Sequence, residues 1–315
     1  MVPPVSRNSA VLASPRPGAE RRASARKSEA RTSHIHRLLP RPLLIAVISV
    51  LLVFAMVPVL YIFFASINSD IQVARGAFWP TELTLDNYAK IWTTVDLGTG
   101  LMNSVLVAGS VALVCAALSV TTAYVLVRYA FRGRLLFLRG LLALQSIPGT
   151  LLLLPVFVLF SSAASTFGIQ IIGTRWGLFL TYLTFALPFS TWVMVTYLRG
   201  LPRELEEAAR LDGASPFTIL TKIIVPLSWP GIVVSGIFAF LLGWNDVMFA
   251  SVMTRPETRT VAVALQIFGA TQEGGAVPVY GQMMAAALVC AVPVVVLYLI
   301  FQRYLVGGLT AGGVK

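Results

Sequence analysis

Six stretches of this chain stay apolar for roughly the length needed to cross a bilayer, and that pattern restricts the fold more than any other feature. They cover residues 43–65, 103–127, 141–160, 176–197, 231–252 and 283–301. A helix rises about 1.5 Å per residue, so some 20 residues cross a hydrocarbon layer about 30 Å thick. Lipid offers no partner to a backbone N–H or C=O, so each stretch must satisfy its own, which makes it a helix. The expected fold is therefore an all-α integral membrane protein with six transmembrane helices. Composition agrees: 57% of residues are hydrophobic and 12% are charged, against about 25% charged in soluble domains. The first run exceeds the apolar core of a secretory signal and reads as an uncleaved span. Pro148, Pro155, Pro188 and Pro293 lie inside runs and predict kinks in a packed bundle, where neighbouring helices or water can serve the freed carbonyls.

Charge sets the expected orientation. The net charge of +11 does not gather on one face, which argues against nucleic acid. Lysine and arginine divide 19 to 5 if the N-terminus is inside, and 10 to 5 without the first 42 residues. Both termini are thus expected in the cytoplasm, with the basic segments meeting anionic lipid. Residues 1–42 are rich in Arg, Ser, Ala and Pro, show no apolar period, and read as a disordered basic cytoplasmic tail. Cys115 and Cys290 fall inside apolar runs and read as packing residues without a disulfide. His34 and His36 have no further ligand nearby, so no metal site is expected.

Two polar segments stand out between the spans. In the outer loop, about 66–100, Thr84 is a plausible N-cap for a short surface helix. Leu85, Tyr88 and Ile91 or Trp92 share one face of that helix, with Tyr88 and Trp92 suited to the membrane interface. The loop 200–228 is the longest charged one. Pro202 can open a helix, Glu204, Glu206 and Glu207 suit its first turns, and Arg210 suits its end. Asp212-Gly213 signals a turn, and Ser215-Pro216 reads as N-cap and first position of a second helix. A stiff helix–turn–helix follows, with Ala208 and Ala209 allowing close approach by a partner.

Within that loop Glu207-Ala208-Ala209, Gly213, Ile223 and Pro226 fix the pattern E-A-A, three residues, G, nine residues, I-x-x-P. Under average residue usage six such positions coincide on the order of once in ten million windows. The pattern resembles the EAA loop of ABC-importer permeases. Further motifs resemble the carbohydrate (maltose-type) branch: Asn103-Ser104, Tyr129-x-Phe131-Arg132-Gly133-Arg134, Pro148-Gly149, Ala186-Leu187-Pro188-Phe189, Gly243-Trp244-Asn245-Asp246, and the run 302–312. Val225 replaces the usual Leu and Asp246 the commoner Glu. The resemblance covers residues 43–315 and omits the tail.

That resemblance implies a type I ABC importer permease in a bacterial plasma membrane, moving a sugar or oligosaccharide without being an enzyme. Its partners would be a second permease subunit in a heterodimer, a cytoplasmic ABC ATPase dimer and an extracellular solute-binding protein. ATP would be bound by the partner, leaving this chain without a cofactor. Glu207, Ala208, Ala209, Arg210, Asp212, Gly213 and Pro226 would form the ATPase-coupling site. The loop 254–282 would meet the binding protein, and the C-terminal end would reach the ATPase pair.

Gln145, Ser146, Asn245 and Asp246 are candidates for the translocation path. A carboxylate in a span is costly, so Asp246 should face a cavity, a partner or the interface. It would either receive sugar hydroxyls or link helices, the commoner role of polar residues in spans; Thr121 and Thr122 pose the same choice. Trp244 and Tyr280 could stack on sugar rings or anchor at the interface. The chain has no P-loop, zincin motif or nucleophile elbow. The alternative is a secondary active transporter of a small polar solute, a class that usually concentrates ionisable residues and repeats at the midplane. Only Asp246 fits that description among the acids.

Overall fold

The computed structural model describes residues 40–94, 96–273 and 279–311. The expected tail and its histidines lie outside them, apart from residues 40–42. Two compact units divide at Leu60. The first contains most of α1 (Arg41–Ser66), which is apolar on every side and exposed along nearly its whole length. A helix with that character is stable in lipid rather than in water.

The second unit begins at Tyr61. It holds α2 (Asp70–Ala74), α3 (Asp86–Thr94), α4 (Leu97–Arg128), α5 (Arg134–Gln145), α6 (Gly149–Phe167), α7 (Arg175–Arg199) and α8 (Glu204–Leu211). Then follow α9 (Pro216–Leu227), α10 (Trp229–Asn245), α11 (Met248–Met253), α12 (Val261–Glu273) and α13 (Tyr280–Ala311). Among the described residues five helices are long and apolar enough to cross a membrane. A sixth span results if α9 and α10, bent by 78° at Ser228, count as one.

Helix α4 is the centre of the second unit, packed against α7 and α10. Close contact is possible because small residues line the seams, as is usual between helices in lipid. A Cβ on Gly231 of α10 would lie 2.9 Å from the Tyr197 ring of α7. Hydroxyls add a polar seam in the same place: Ser190 of α7 donates to the Ser235 carbonyl of α10 at 3.3 Å, and Ser119 of α4 lies 3.5 Å from the Ser235 hydroxyl. Cys115 and Cys290 are buried and free, as their apolar flanks suggested.

Several boundaries differ from those expected. The third span is not 141–160: α5 ends at Gln145, and the span runs Gly149–Phe167, opening with a 3-10 turn over Gly149–Leu152. Pro148 is the cause, since it removes a donor and pushes the residue before it out of helical geometry. The fifth span stops at Asn245 instead of 252, because the chain is extended at Asp246 before α11 starts. In the loop expected over 254–282 there is a helix, α12, with Val261, Val263, Ala264 and Phe268 buried; its residues 274–278 lie outside the described set. The surface helix expected after Thr84 is α3, with the Thr84 hydroxyl accepting from the Asp86 N–H at 3.1 Å. Its buried side is set by Ile91, while Leu85 is exposed.

Candidate functional site

The loop 200–228 forms the expected helix–turn–helix, although α8 starts at Glu204 and leaves Pro202, the expected opening residue, outside it. Helix α8 presents three acids in its first turn and Arg210 in its last, complementing the helix dipole. Its end is a Schellman closure: Gly213 N–H donates to the Arg210 carbonyl at 3.0 Å and Ala214 N–H to the Ala209 carbonyl at 2.9 Å. Gly213 stands at φ +81, a conformation that costs any residue with a Cβ. Ser215 then caps α9, its hydroxyl accepting from the Thr218 N–H at 3.2 Å, with Pro216 at the first position. Pro226 sits exposed in the last turn of α9, after a π-helical turn at Leu220–Ile224.

One side of this unit is rooted and the other is free. Ile219 and Ile224 enter an apolar cluster with Tyr124, Val127, Met194 and Leu198, and Ala209 and Ala214 pack against it. Glu207, Ala208, Arg210, Asp212 and Gly213 are exposed. Leu211 is 90% exposed and Phe217 73%.

Glu206 departs from the expectation of a solvated acid in the first turn. It is the only buried carboxylate among the described residues. Its Oε1 accepts from Nε of Arg128, the last residue of α4, at 2.5 Å, with the two side chains 4% and 5% exposed. Arg128 also reaches the Leu201 carbonyl at 3.4 Å. Arg128 had counted only as one of the inner charges.

A second feature is a cavity of about 730 Å³ between α6, α7 and α10, lined mostly by apolar side chains. Gln145 and Asp246 both line it, together with Tyr182, Thr184 and Ser190. Ser146 and Asn245 are exposed and are not among the lining residues. Asp246 is held from two sides: the Tyr182 hydroxyl donates to its Oδ2 at 2.8 Å, and the Ala250 N–H does so at 3.0 Å. The carboxylate thus fixes α7 to α10 and caps α11 while facing the cavity. Tyr182 is the partner that sequence reading missed, and nothing local marks it. Asp246→Ala removes the oxygen that accepts both bonds and is expected to destabilise the protein by about 1–3 kcal/mol. Asp246→Asn, which keeps one oxygen, should cost less, as thermal unfolding in detergent would show. Trp244 is neither ring platform nor interface anchor: it is buried and stacks on Phe240 at 5.3 Å. Thr121 bonds the carbonyl of Ala117 in its own helix at 3.0 Å.

The end of the bundle opposite α8 is closed by polar clamps. Asn103 donates to the carbonyls of Glu257 at 3.0 Å and Arg259 at 2.8 Å, and accepts from Arg175 Nε at 2.6 Å. Ser104 accepts from the Val261 N–H at 2.8 Å. Gln282 donates to Asp70 Oδ2 at 3.0 Å, tying α13 to α2.

Known proteins resemble this chain in sequence and fold. The family described as "Binding-protein-dependent transport system inner membrane component" matches residues 114–310, which include α8, α9 and the cavity. The chain is 34% identical over 272 residues to the trehalose transport system permease protein SugB of Mycobacterium tuberculosis, covering 86% of this chain and 96% of that one. It is 32% identical over 281 residues to the trehalose/maltose transport system permease protein MalG of Thermococcus litoralis, covering 88% and 98%. A solved bacterial ABC transporter involved in alginate import has a chain of the same fold, with a TM-score of 0.71 at 21% identity, covering 87% of this chain and 98% of that one. With an EAA helix–turn–helix rooted in a broken-helix membrane bundle, and relatives aligned over nearly their full length, the chain belongs to the binding-protein-dependent inner-membrane components and is a multi-pass permease of an ABC importer.

Proposed function

We propose that this permease moves a sugar or oligosaccharide handed over by an extracellular solute-binding protein, and that α8 and α9 receive the stroke of a separate ATPase dimer. The observation carrying the second part is the two-sided character of the loop. Glu207, Ala208, Arg210 and Leu211 stand free, while Ala209, Ile219 and Ile224 are packed into the same apolar cluster as α4 and α7. A stiff element anchored in this way moves as one body with the bundle. In this reading a second permease subunit completes the pore, Glu207, Ala208, Arg210, Asp212, Gly213 and Pro226 face the ATPase while Ala209 seats the helix on the bundle, and ATP is bound by the ATPase rather than by this chain, which does no catalysis itself. The α8 end is cytoplasmic, in keeping with the excess of arginine and lysine there.

The sugar class is supported by the names of the relatives, which include trehalose, trehalose/maltose and maltose/maltodextrin permeases. The cavity suits such a solute: it is of the size usual for small-molecule sites, and Gln145, Asp246, Tyr182 and Thr184 supply its polar groups. Uptake of labelled trehalose or maltose into proteoliposomes tests the whole reading. Accumulation should require ATP, the ATPase pair, the second permease and the binding protein together. Uptake by this chain alone under an ion gradient would sink it.

A further inference from the structure

Helix α4 differs from the other long helices of the second unit. It runs 32 residues without a proline, whereas α7 and α13 contain Pro188 and Pro293, and α10 is set at 78° to α9. Such a helix resists bending, because kinks arise where proline or an inserted group interrupts the hydrogen-bond ladder. Both of its ends are held by buried polar bonds in addition to apolar packing.

At the end opposite α8, Asn103 is fully buried and makes three hydrogen bonds: to the carbonyls of Glu257 and Arg259 and from Arg175. Ser104 adds a fourth from Val261. At the other end Arg128 is paired with Glu206 of the lever helix. Between Asn103 and Arg128 the helix spans about 38 Å at its ordinary rise.

A buried ion pair is poor evidence of added stability, since an apolar pair of similar size often does as well. Its distinctive property is that it has one geometry. Apolar contacts are non-directional, whereas the charge pair is satisfied in one orientation. A displacement of α8 that left Arg128 behind would instead strand two charges in the apolar cluster formed by Val127, Leu198 and Ile219. Moving α8 therefore moves the end of α4.

We propose that α4 is the relay between the two faces of the permease, with Arg128 and Glu206 as positioning residues at its lever end and Asn103 and Ser104 as the clamp at the other. A shift of α8 passes through the ion pair into α4 and reaches the segment 257–261, so the surface meeting the binding protein and the surface meeting the ATPase sense each other through one rod. This rests on the reading of α8 as the ATPase-facing lever and adds the route by which its motion travels.

The test uses the complete transporter in proteoliposomes, with ATP hydrolysis measured in the presence and absence of sugar-loaded binding protein. Arg128→Met combined with Glu206→Leu replaces the charges by an apolar pair that can fill the site. The assembled complex and its basal hydrolysis should persist, while stimulation by the binding protein falls about tenfold, within the usual range of coupling energies. Glu206→Gln keeps an acceptor for Arg128 but removes the charge, and should show a smaller loss of the same ratio. A merely structural role would lower basal and stimulated rates together. An unchanged stimulation ratio in either variant overturns the relay. If the wild-type transporter itself shows no ATPase-dependent uptake, the lever reading fails and the relay falls with it. A coupled wild type with coupled variants refutes the relay alone.

Discussion

Gly213→Pro is expected to abolish ATP-driven uptake while leaving insertion of the protein into the membrane intact. Gly213 sits at φ +81, and proline is confined near −65°, a rotation of roughly 145° in the middle of a four-residue turn. The substitution also removes the N–H that closes α8 on the Arg210 carbonyl. Helices α8 and α9 would lose their fixed angle, and the exposed face carrying Glu207, Ala208 and Arg210 would no longer be presented as a unit. ATP hydrolysis by the assembled complex should continue without solute movement. Gly213→Ala separates the two effects. No atom lies within 4 Å of an added Cβ, so its cost is that of the left-handed backbone alone, about 1–2 kcal/mol. It should therefore reduce transport rather than remove it. Normal accumulation by the proline variant would show that the turn has no part in coupling.

The largest effect on stability is expected from Arg128→Ala. It leaves the Glu206 carboxylate without its partner in a site where that residue is 3% exposed. Breaking a buried pair in this way costs about 3–5 kcal/mol, which corresponds to a fall of roughly 10 °C in Tm for a chain of this size. Arg203→Ala is the control. Arg203 is exposed just before α8, and its loss should stay within about 0.5 kcal/mol. Equal melting temperatures for the two variants, measured in the same detergent, would mean that the pair is not formed in the protein. Limited proteolysis within residues 200–228 should rise in the first variant only.

What could be read in the sequence and what could not divides by the range of the interactions. The caps and turns of the loop 200–228 were legible, because they are local chemistry: Ser215, Pro216 and Gly213 each act on backbone groups within a few positions. The existence of the apolar spans was legible for a similar reason, since hydropathy is a property of a contiguous segment. Their ends were less so. Hydropathy continues across Pro148 and across Asp246, whereas the helices do not. Helix α12 escaped because its buried residues face α4 and α13, and a loop between two spans carries no cue to that packing.

Residues joined across the fold were the least visible. Arg128 and Glu206 are 78 positions apart, and Tyr182 and Asp246 are 64 apart. In the first pair both partners had been given a local meaning: Arg128 as an orientation signal and Glu206 as an acid suited to a helix start. Both meanings are sound by themselves. Only the packing of α4 against α7 and the position of α8 reveal that the two residues answer one another. Asn103 and Ser104 stood between these cases, marked as part of a motif before their role as a clamp could be seen.

The joint at Ser228 has a mechanical corollary. Its hydroxyl and its N–H both bond the Ile224 carbonyl, at 2.6 and 2.8 Å, and the residue is fully buried. On the α10 side the Ser228 carbonyl accepts from the Ile232 N–H at 3.0 Å, so one buried residue bonds into both helices at their 78° corner. Under the proposed coupling, thrust along α9 meets α10 almost crosswise, at a corner whose far arm ends beside the cavity lined by Asp246.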